Sequence, residues 1–362
     1  MNDLSNKTTY GEVVDLFCGV GSLSHGLKRA GFNIMAGYDI DARCKHAYQK
    51  NNHAKFILHD VANLTAREVS AHFTGEGYSV LAGCAPCQPF STYRYRYKEE
   101  DPKWSLVGEF GRLAAEIQSD FLTMENVPSL VNYKKGEIFN ELCETLEKAG
   151  YLIEWSIVKC EQFGIPQKRR RLVLIASKHT RPESLKPQGK EATTVRQAIG
   201  HLKPIQAGMS DPDDPLHMSA SLMDVNLARI RESKQGGTWW DWPVEMRAKC
   251  HRRKSGMTYV GVYGRMSWDE PSPTMTTQCF SFGSGRFGHP DQDRAISLRE
   301  AALLQSFPKS YEFLPSGETY SFVEIGRWIG NAVPVRLAEE IGRLIASMQT
   351  VKDPLEKINA GL

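Results

Sequence analysis

Short apolar runs alternate with amphipathic stretches from residue 12 to about 177, at a spacing of one strand and one helix per repeat. The β-branched runs predict strands over 13–17, 33–39, 56–60, 79–83, 121–125, 152–159 and 171–176. Between them, helical periodicity predicts helices over 22–30, 41–51, 66–72, 108–118 and 137–148. Such alternation folds into a mostly parallel sheet with helices on both faces. Ligands of such sheets sit beyond the carboxyl ends of the strands. The rhythm breaks over 178–272, where prolines, glycines, tryptophans and charges leave few periodic runs. That stretch is too long for a connector and predicts a second, smaller, irregular domain. Helical patterns return over 298–307 and 335–348, the latter after the turn signals of Gly330 and Pro334. The expected division is 1–177, 178–272 and a segment 273–362 returning to the first domain.

Composition changes this picture little. The 362 residues are 41% hydrophobic and 24% charged, with a net charge of +3, which neither demands nor excludes nucleic acid. No run is long and apolar enough to cross a membrane, and the first residues lack the apolar centre of a signal peptide. A cytoplasmic protein is expected. Its eight cysteines follow no framework spacing, so disulfides are not expected. Local basic clusters are more telling: Arg169 to Arg171, His251 to Lys254, and the arginine- and tyrosine-rich run from Tyr93 to Lys98.

The first predicted strand runs into Gly19 and Gly21 at the opening of a helix, where glycines allow close backbone approach to a ligand. A dinucleotide fingerprint would place glycine or alanine where Ser24 stands, and Asp15 would repel a pyrophosphate. Asp15, Asp39 and Asp60 instead place carboxylates at three successive strand ends. Asp15 suits an amine and a sulfonium, Asp39 both ribose hydroxyls, and Asp60 an adenine amino group. Without a P-loop lysine, this set favours S-adenosylmethionine over NAD.

Cys84 and Cys87 fall just past the predicted fourth strand, on the same edge. A structural zinc would need two further ligands, and no second Cys-x-x-Cys or His-x-His pair exists. A redox pair would open a helix, which Pro89 opposes. Cys84 reads as structural, at the strand end. Cys87, between Pro86 and Pro89, reads as a nucleophile. Glu125 ends the next strand on that edge, so a thiol and a carboxylate stand beside the expected methyl donor.

On these residues the chain resembles the DNA (cytosine-5) methyltransferases of prokaryotic and phage type. The family's motifs appear in order: Asp15-Leu16-Phe17 with Gly19 and Gly21, Pro86-Cys87-Gln88, Glu125-Asn126-Val127, Gln167 with Arg169 and Arg171, Arg299-Glu300-Ala301-Ala302 with Gln305-Ser306-Phe307-Pro308, and Gly330-Asn331-Ala332-Val333-Pro334. They span residues 12 to about 345. Small departures are Ser22, Ile40 and Ala85, where the family often has glycine, an aromatic residue and proline.

The resemblance implies a Rossmann-like methyltransferase sheet (α/β) with a smaller target recognition domain. It implies methyl transfer from S-adenosylmethionine to carbon 5 of a cytosine flipped out of a short duplex DNA sequence, with Cys87 adding to carbon 6. Glu125 would act as the acid at nitrogen 3, and Arg171 and Arg169 would hold the ring oxygen. Cofactor contacts are expected from Asp15, Phe17, Gly19, Gly21, Asp39, Ile40, Asp60, Val61, Pro86, Leu106, Asn331 and Val333. DNA contacts are expected from Gln88, Ser91, Arg94, Arg96, Arg252, Arg253 and Thr274, with the run from Ser91 to Ser105 as a lid. Trp239, Trp240 and Trp242 are further candidates, against a role as anchors of a small core. The expected partners are double-stranded DNA and a cognate restriction endonuclease; the enzyme is expected to be a monomer without metal. Methylation of a transfer RNA, a silent DNA-binding homologue and an NAD-dependent oxidoreductase are the rival readings.

Overall fold

The computed structural model describes residues 9–86, 105–187, 189, 191–253 and 256–349. They form two compact units, one from the described residues within 1–158, 170–186 and 337–362, the other from those within 159–169 and 187–336.

The first unit is built on a seven-stranded sheet. Its strands are β1 (Gly11–Leu16), β2 (Asn33–Asp39), β3 (Lys55–Leu58), β4 (Tyr78–Gly83), β5 (Phe121–Asn126), β6 (Leu152–Lys159) and β7 (Arg170–Ser177), in the order β3-β2-β1-β4-β5-β7-β6. β1 pairs in parallel with β2 and β4, and β4 with β5; β7 runs antiparallel to β5. Every residue of β1 and of β5 is buried, as a central strand covered on both faces requires.

On one face, α3 (Ala66–Ser70), α4 (Ser105–Ile117) and α5 (Glu137–Lys148) close over Val14, Leu81, Leu122, Met124, Leu172 and Leu174. In α5 the buried positions Phe139, Leu142 and Leu146 recur at helical spacing. Each such side chain contributes about 2 kcal/mol by leaving water. α1 (Ser22–Arg29), α2 (Lys45–Asn52) and α10 (Val335–Ser347) complete the α/β layering. Gly342 of α10 lies so close to α1 that an added Cβ would sit 2.6 Å from the Cβ of Ala30.

The second unit holds a small hairpin, β8 (Ser210–Asp211) and β9 (Asp214–Met218), and helices α6 (Val195–Ile199), α7 (Asp224–Glu232), α8 (Leu298–Leu304) and α9 (Phe322–Asn331). Its apolar cluster gathers Ile230, Trp239, Trp242, Phe282 and Ala295. The packing sets its limits differently from the expected division: α8 packs on α6, β9 and α9, so 273–336 clusters here and only the segment from Leu337 returns to the first unit.

α9 and α7 were not expected from the sequence. In α9, two glycines and β-branched residues lower helix propensity. Tertiary packing overrides it, because an added Cβ on Gly330 would sit 2.4 Å from the backbone of Thr276 and Thr277. The glycine read as a turn signal is therefore inside a helix.

Candidate active site at the sheet edge

The carboxyl ends of β1, β2, β4 and β5 carry most of the residues singled out by sequence. β1 passes through Phe17, whose φ of 60° is left-handed and uncommon for a non-glycine residue, into Gly19 (φ 50°) and Gly21 (φ 89°). Gly21 is obligatory for a second reason: an added Cβ would meet the Asn52 amide nitrogen at 2.2 Å. At Gly19 an added Cβ would meet nothing within 4 Å, so this turn faces open space.

Asp39, at the end of β2, ties the loop in place. Its carboxylate accepts from the Gly19 N–H (2.8 Å) and the Asp41 N–H (2.8 Å). Burial raises its pKa, while these backbone donors pull it down. Ile40 beside it is 71% exposed, an apolar platform next to a carboxylate. Leu106, at the start of α4, and Pro86 are partly exposed.

The surroundings of three more of the expected cofactor contacts are as follows. Asp15 is wholly buried and faces inward: Oδ2 accepts from the Ser24 hydroxyl at 2.6 Å, and Ser24 meets the Tyr48 hydroxyl at 3.0 Å. Burial dominates its titration and lifts its pKa to about 7, against the lowering effect of the Ser24 bonds. Through Ser24 it is tied to α1, while its other oxygen, Oδ1, is buried without a hydrogen-bond partner. Ser24, which broke the dinucleotide pattern, is its partner. Asp60 does not close β3, which ends at Leu58; it is exposed and accepts from the Ala62 N–H (3.0 Å) to cap a short 3-10 turn. Val61, in that turn, is 2% exposed, so its side chain belongs to the core.

The next two strands bring three side chains together. The β4–β5 register pairs Gly83 with Met124, which carries Cys84 alongside Glu125. Across β5, Glu125 pairs with Val173 of β7, and Arg171 lies two positions along the same face. Arg171 Nε approaches Glu125 Oε1 at 2.7 Å, with the two side chains 12% and 4% exposed. This is an ionic contact off the hydrogen-bond axis, and Oε1 is buried without a hydrogen-bond partner. The other oxygen, Oε2, accepts from the Cys84 thiol at 3.1 Å. Asn126 donates to the Ala85 carbonyl (3.1 Å), fixing the segment that leads to Pro86. A buried carboxyl with one free oxygen beside a guanidinium can give a proton to a substrate atom and be stabilised once ionised.

Cys87, Gln88, Ser91, Arg94 and Arg96 lie outside the described residues, as does the run expected as a lid except its last residue, Ser105, which begins α4.

The alternation expected for Arg169 does not carry over to the structure. β7 begins at Arg170, so the alternation that would put 169 and 171 on one face does not reach back to 169. Arg169 belongs to the second unit and is 2% exposed. There Nη1 donates to the Met275 carbonyl (2.9 Å) and Nη2 to those of Gly330 (3.1 Å) and Ala332 (3.4 Å). Gln167 donates to the Leu304 carbonyl (3.1 Å) and accepts from the Met275 N–H (2.9 Å). The pair fastens three segments through their backbones.

Asn331 ends α9 and is exposed, while Val333 is buried. Thr274 donates to the Lys168 carbonyl (2.8 Å), and Arg252 and Arg253 are exposed. Trp239 and Trp242 are buried core residues, their indole N–H groups donating to the Tyr259 carbonyl (3.0 Å) and the Ser233 hydroxyl (2.8 Å). Trp240 is 41% exposed, stacked on Trp239 with the Arg247 guanidinium 4.8 Å from its ring centre.

Sequence reasoning missed Cys84 as a partner of Glu125 and Asn126 as the clamp on residue 85. The adjacency of Asn126 to Glu125 was a usable signal; nothing local marked Cys84.

The family model for C-5 cytosine-specific DNA methylase matches residues 11–347. Type II methylase M.HgiDII of Herpetosiphon aurantiacus is 48% identical over 337 residues, covering 92% of this chain and 95% of that protein. Type II methyltransferase M1.HphI of Haemophilus parahaemolyticus is 31% identical, covering 93% and 87%. Among solved structures, a prophage-encoded DNA modification methyltransferase from E. coli superposes with a TM-score of 0.72 at 23% identity, covering 93% of this chain and 99% of that one.

Proposed function

Because the chain belongs to the C-5 cytosine-specific DNA methylase family, and is a DNA (cytosine-5-)-methyltransferase, we propose that it uses S-adenosylmethionine to methylate a flipped-out cytosine within a short duplex sequence. The observation that carries this reading is the buried Glu125–Arg171 pair at the end of β5, one strand from the segment that leads into Pro86-Cys87.

The Cys87 thiolate adds to carbon 6 of cytosine, forming a C–S bond and pushing electron density toward nitrogen 3. Glu125 delivers a proton to nitrogen 3, so the ring becomes a neutral enamine with a nucleophilic carbon 5. Arg171 stabilises the carboxylate left behind. When bound, S-adenosylmethionine supplies the electrophilic methyl group that carbon 5 takes up. The carbon-5 proton then leaves to a base, the C–S bond breaks with Cys87 departing as thiolate, and the nitrogen-3 proton returns to Glu125. A stacked cytosine cannot reach these groups, so the base is flipped out.

The cofactor fits the edge by its chemistry. Gly19 opens to free space, Asp39 offers remaining lone pairs to ribose hydroxyls, and Ile40 offers an apolar surface to adenine. The second unit, with exposed Arg252 and Arg253, is the proposed target recognition domain; duplex DNA is the partner, with a restriction endonuclease of matching specificity.

Bisulfite sequencing of DNA from cells expressing the protein is expected to show protection of one cytosine within one short context. No protected context, together with methylation of transfer RNA by the purified protein, would overturn the reading.

A further inference from the structure

We infer that Cys84 is a positioning residue for the reaction: its thiol, bonded to Oε2 of Glu125, fixes the carboxyl so that Oε1 is the oxygen that carries the proton to the substrate. The inference rests on the proposed role of Glu125 as the acid.

The two oxygens of Glu125 are not equivalent. Oε2 accepts from Cys84 Sγ at 3.1 Å. Oε1 is buried with no hydrogen-bond partner, 2.7 Å from Arg171 Nε. A buried carboxyl oxygen left unsatisfied costs free energy and marks an atom reserved for a ligand. With Oε2 held by the Cys84 thiol, Oε1 is the oxygen left without a hydrogen-bond partner and so the one placed to serve a substrate atom. Once Oε1 has given up its proton, Arg171 faces the new anion and the thiol continues to donate to Oε2. Cys84 thus orients the carboxyl, and Arg171 stabilises the product of proton transfer.

The backbone holds the thiol in register. The Cys84 N–H donates to the Leu16 carbonyl (3.3 Å), and the next carbonyl, that of Ala85, accepts from Asn126. Sγ and the carboxyl therefore sit on adjoining strand ends whose separation is set by the sheet. A hydroxyl at 84 reproduces the donor; a methyl group does not.

Three variants, assayed as full-length protein with duplex DNA and S-adenosylmethionine, test this. Cys84→Ala is expected to lower kcat about tenfold, the loss of one donor to a catalytic carboxyl, with KM for both substrates unchanged. Cys84→Ser is expected to recover kcat to within about threefold of the parent. Glu125→Gln is expected to lower kcat at least about a hundredfold. If Cys84→Ala keeps full kcat while Glu125→Gln does not, the inference fails and the role of Glu125 stands. Equal losses in Cys84→Ala and Cys84→Ser, with matching falls in melting temperature, would show a packing role and also overturn it. Full turnover in Glu125→Gln would remove the reading on which it rests.

Discussion

Replacing Cys87 with serine is expected to reduce methyl transfer by at least about a thousandfold while leaving the calorimetric affinity for S-adenosylmethionine unchanged. Sulfur is the stronger nucleophile because its pKa places a fraction of it as thiolate near neutral pH, whereas a serine hydroxyl stays protonated. Carbon 5 of cytosine gains nucleophilicity only after addition at carbon 6, so a weak nucleophile at 87 stalls the first step rather than a late one. The proposed cofactor contacts Gly19, Asp39 and Ile40 lie at or just past the carboxyl ends of β1 and β2 and do not involve residue 87. Substantial turnover by Cys87→Ser would remove the nucleophile assignment. Unchanged binding with lost turnover separates chemistry from folding.

The largest expected effect on stability lies in the second unit. Arg294 and Glu300 form a two-pronged ion pair, Nη1 to Oε2 and Nη2 to Oε1 at 2.7 Å each, with both side chains 1% exposed. Glu300 also accepts from the Ser297 N–H (2.6 Å) at the start of α8, and His289 Nε2 lies 3.6 Å from Oε1. Burial pushes the Glu300 pKa up, but the Arg294 bonds and charge outweigh it and draw the value down to about 2. Burial holds His289 neutral, its pKa lowered to about 4. Glu300→Gln leaves a buried guanidinium without its counter-charge, which costs about 3–5 kcal/mol and a fall in melting temperature on the order of 10 °C.

The sign of the pH dependence follows from the depressed carboxyl. Its stabilisation is fully present above the ordinary value of 4.5 and is lost as pH falls from there toward about 2. Thermal melts of the parent protein and Glu300→Gln are therefore expected to differ most near neutrality and to converge in acid. Curves that run parallel down to pH 3 would contradict the assignment.

The sheet was legible because period-two and period-3.6 patterns are local properties of the chain. The expected ranges for β2, β6 and α5 match the observed ones, and the other strands differ by one or two residues. The edge chemistry was legible where the side chain sits on a strand end, as with Glu125 and Asp39. Misreadings came where a residue's partner is distant in sequence. For Asp15 the sequence did not disclose that one oxygen is taken by Ser24, itself linked to Tyr48. For Arg169 it did not disclose that its nitrogens bond carbonyls 106 to 163 residues away. Cys84 looks like a spare cysteine until the β4–β5 register sets it against a carboxyl 41 residues on. α9 escaped notice for the same reason, because its glycines are explained by close packing against the chain near Thr276.

The central claim is that one sulfur, that of Cys87, attacks cytosine. Duplex DNA carrying 5-fluorocytosine at the target position blocks loss of the carbon-5 substituent and so arrests the reaction after methyl transfer. Mass spectrometry of the digested complex is expected to find the methylated base joined covalently to the peptide at Cys87. An adduct on Cys84, or no adduct under conditions where ordinary cytosine is methylated, would contradict the account.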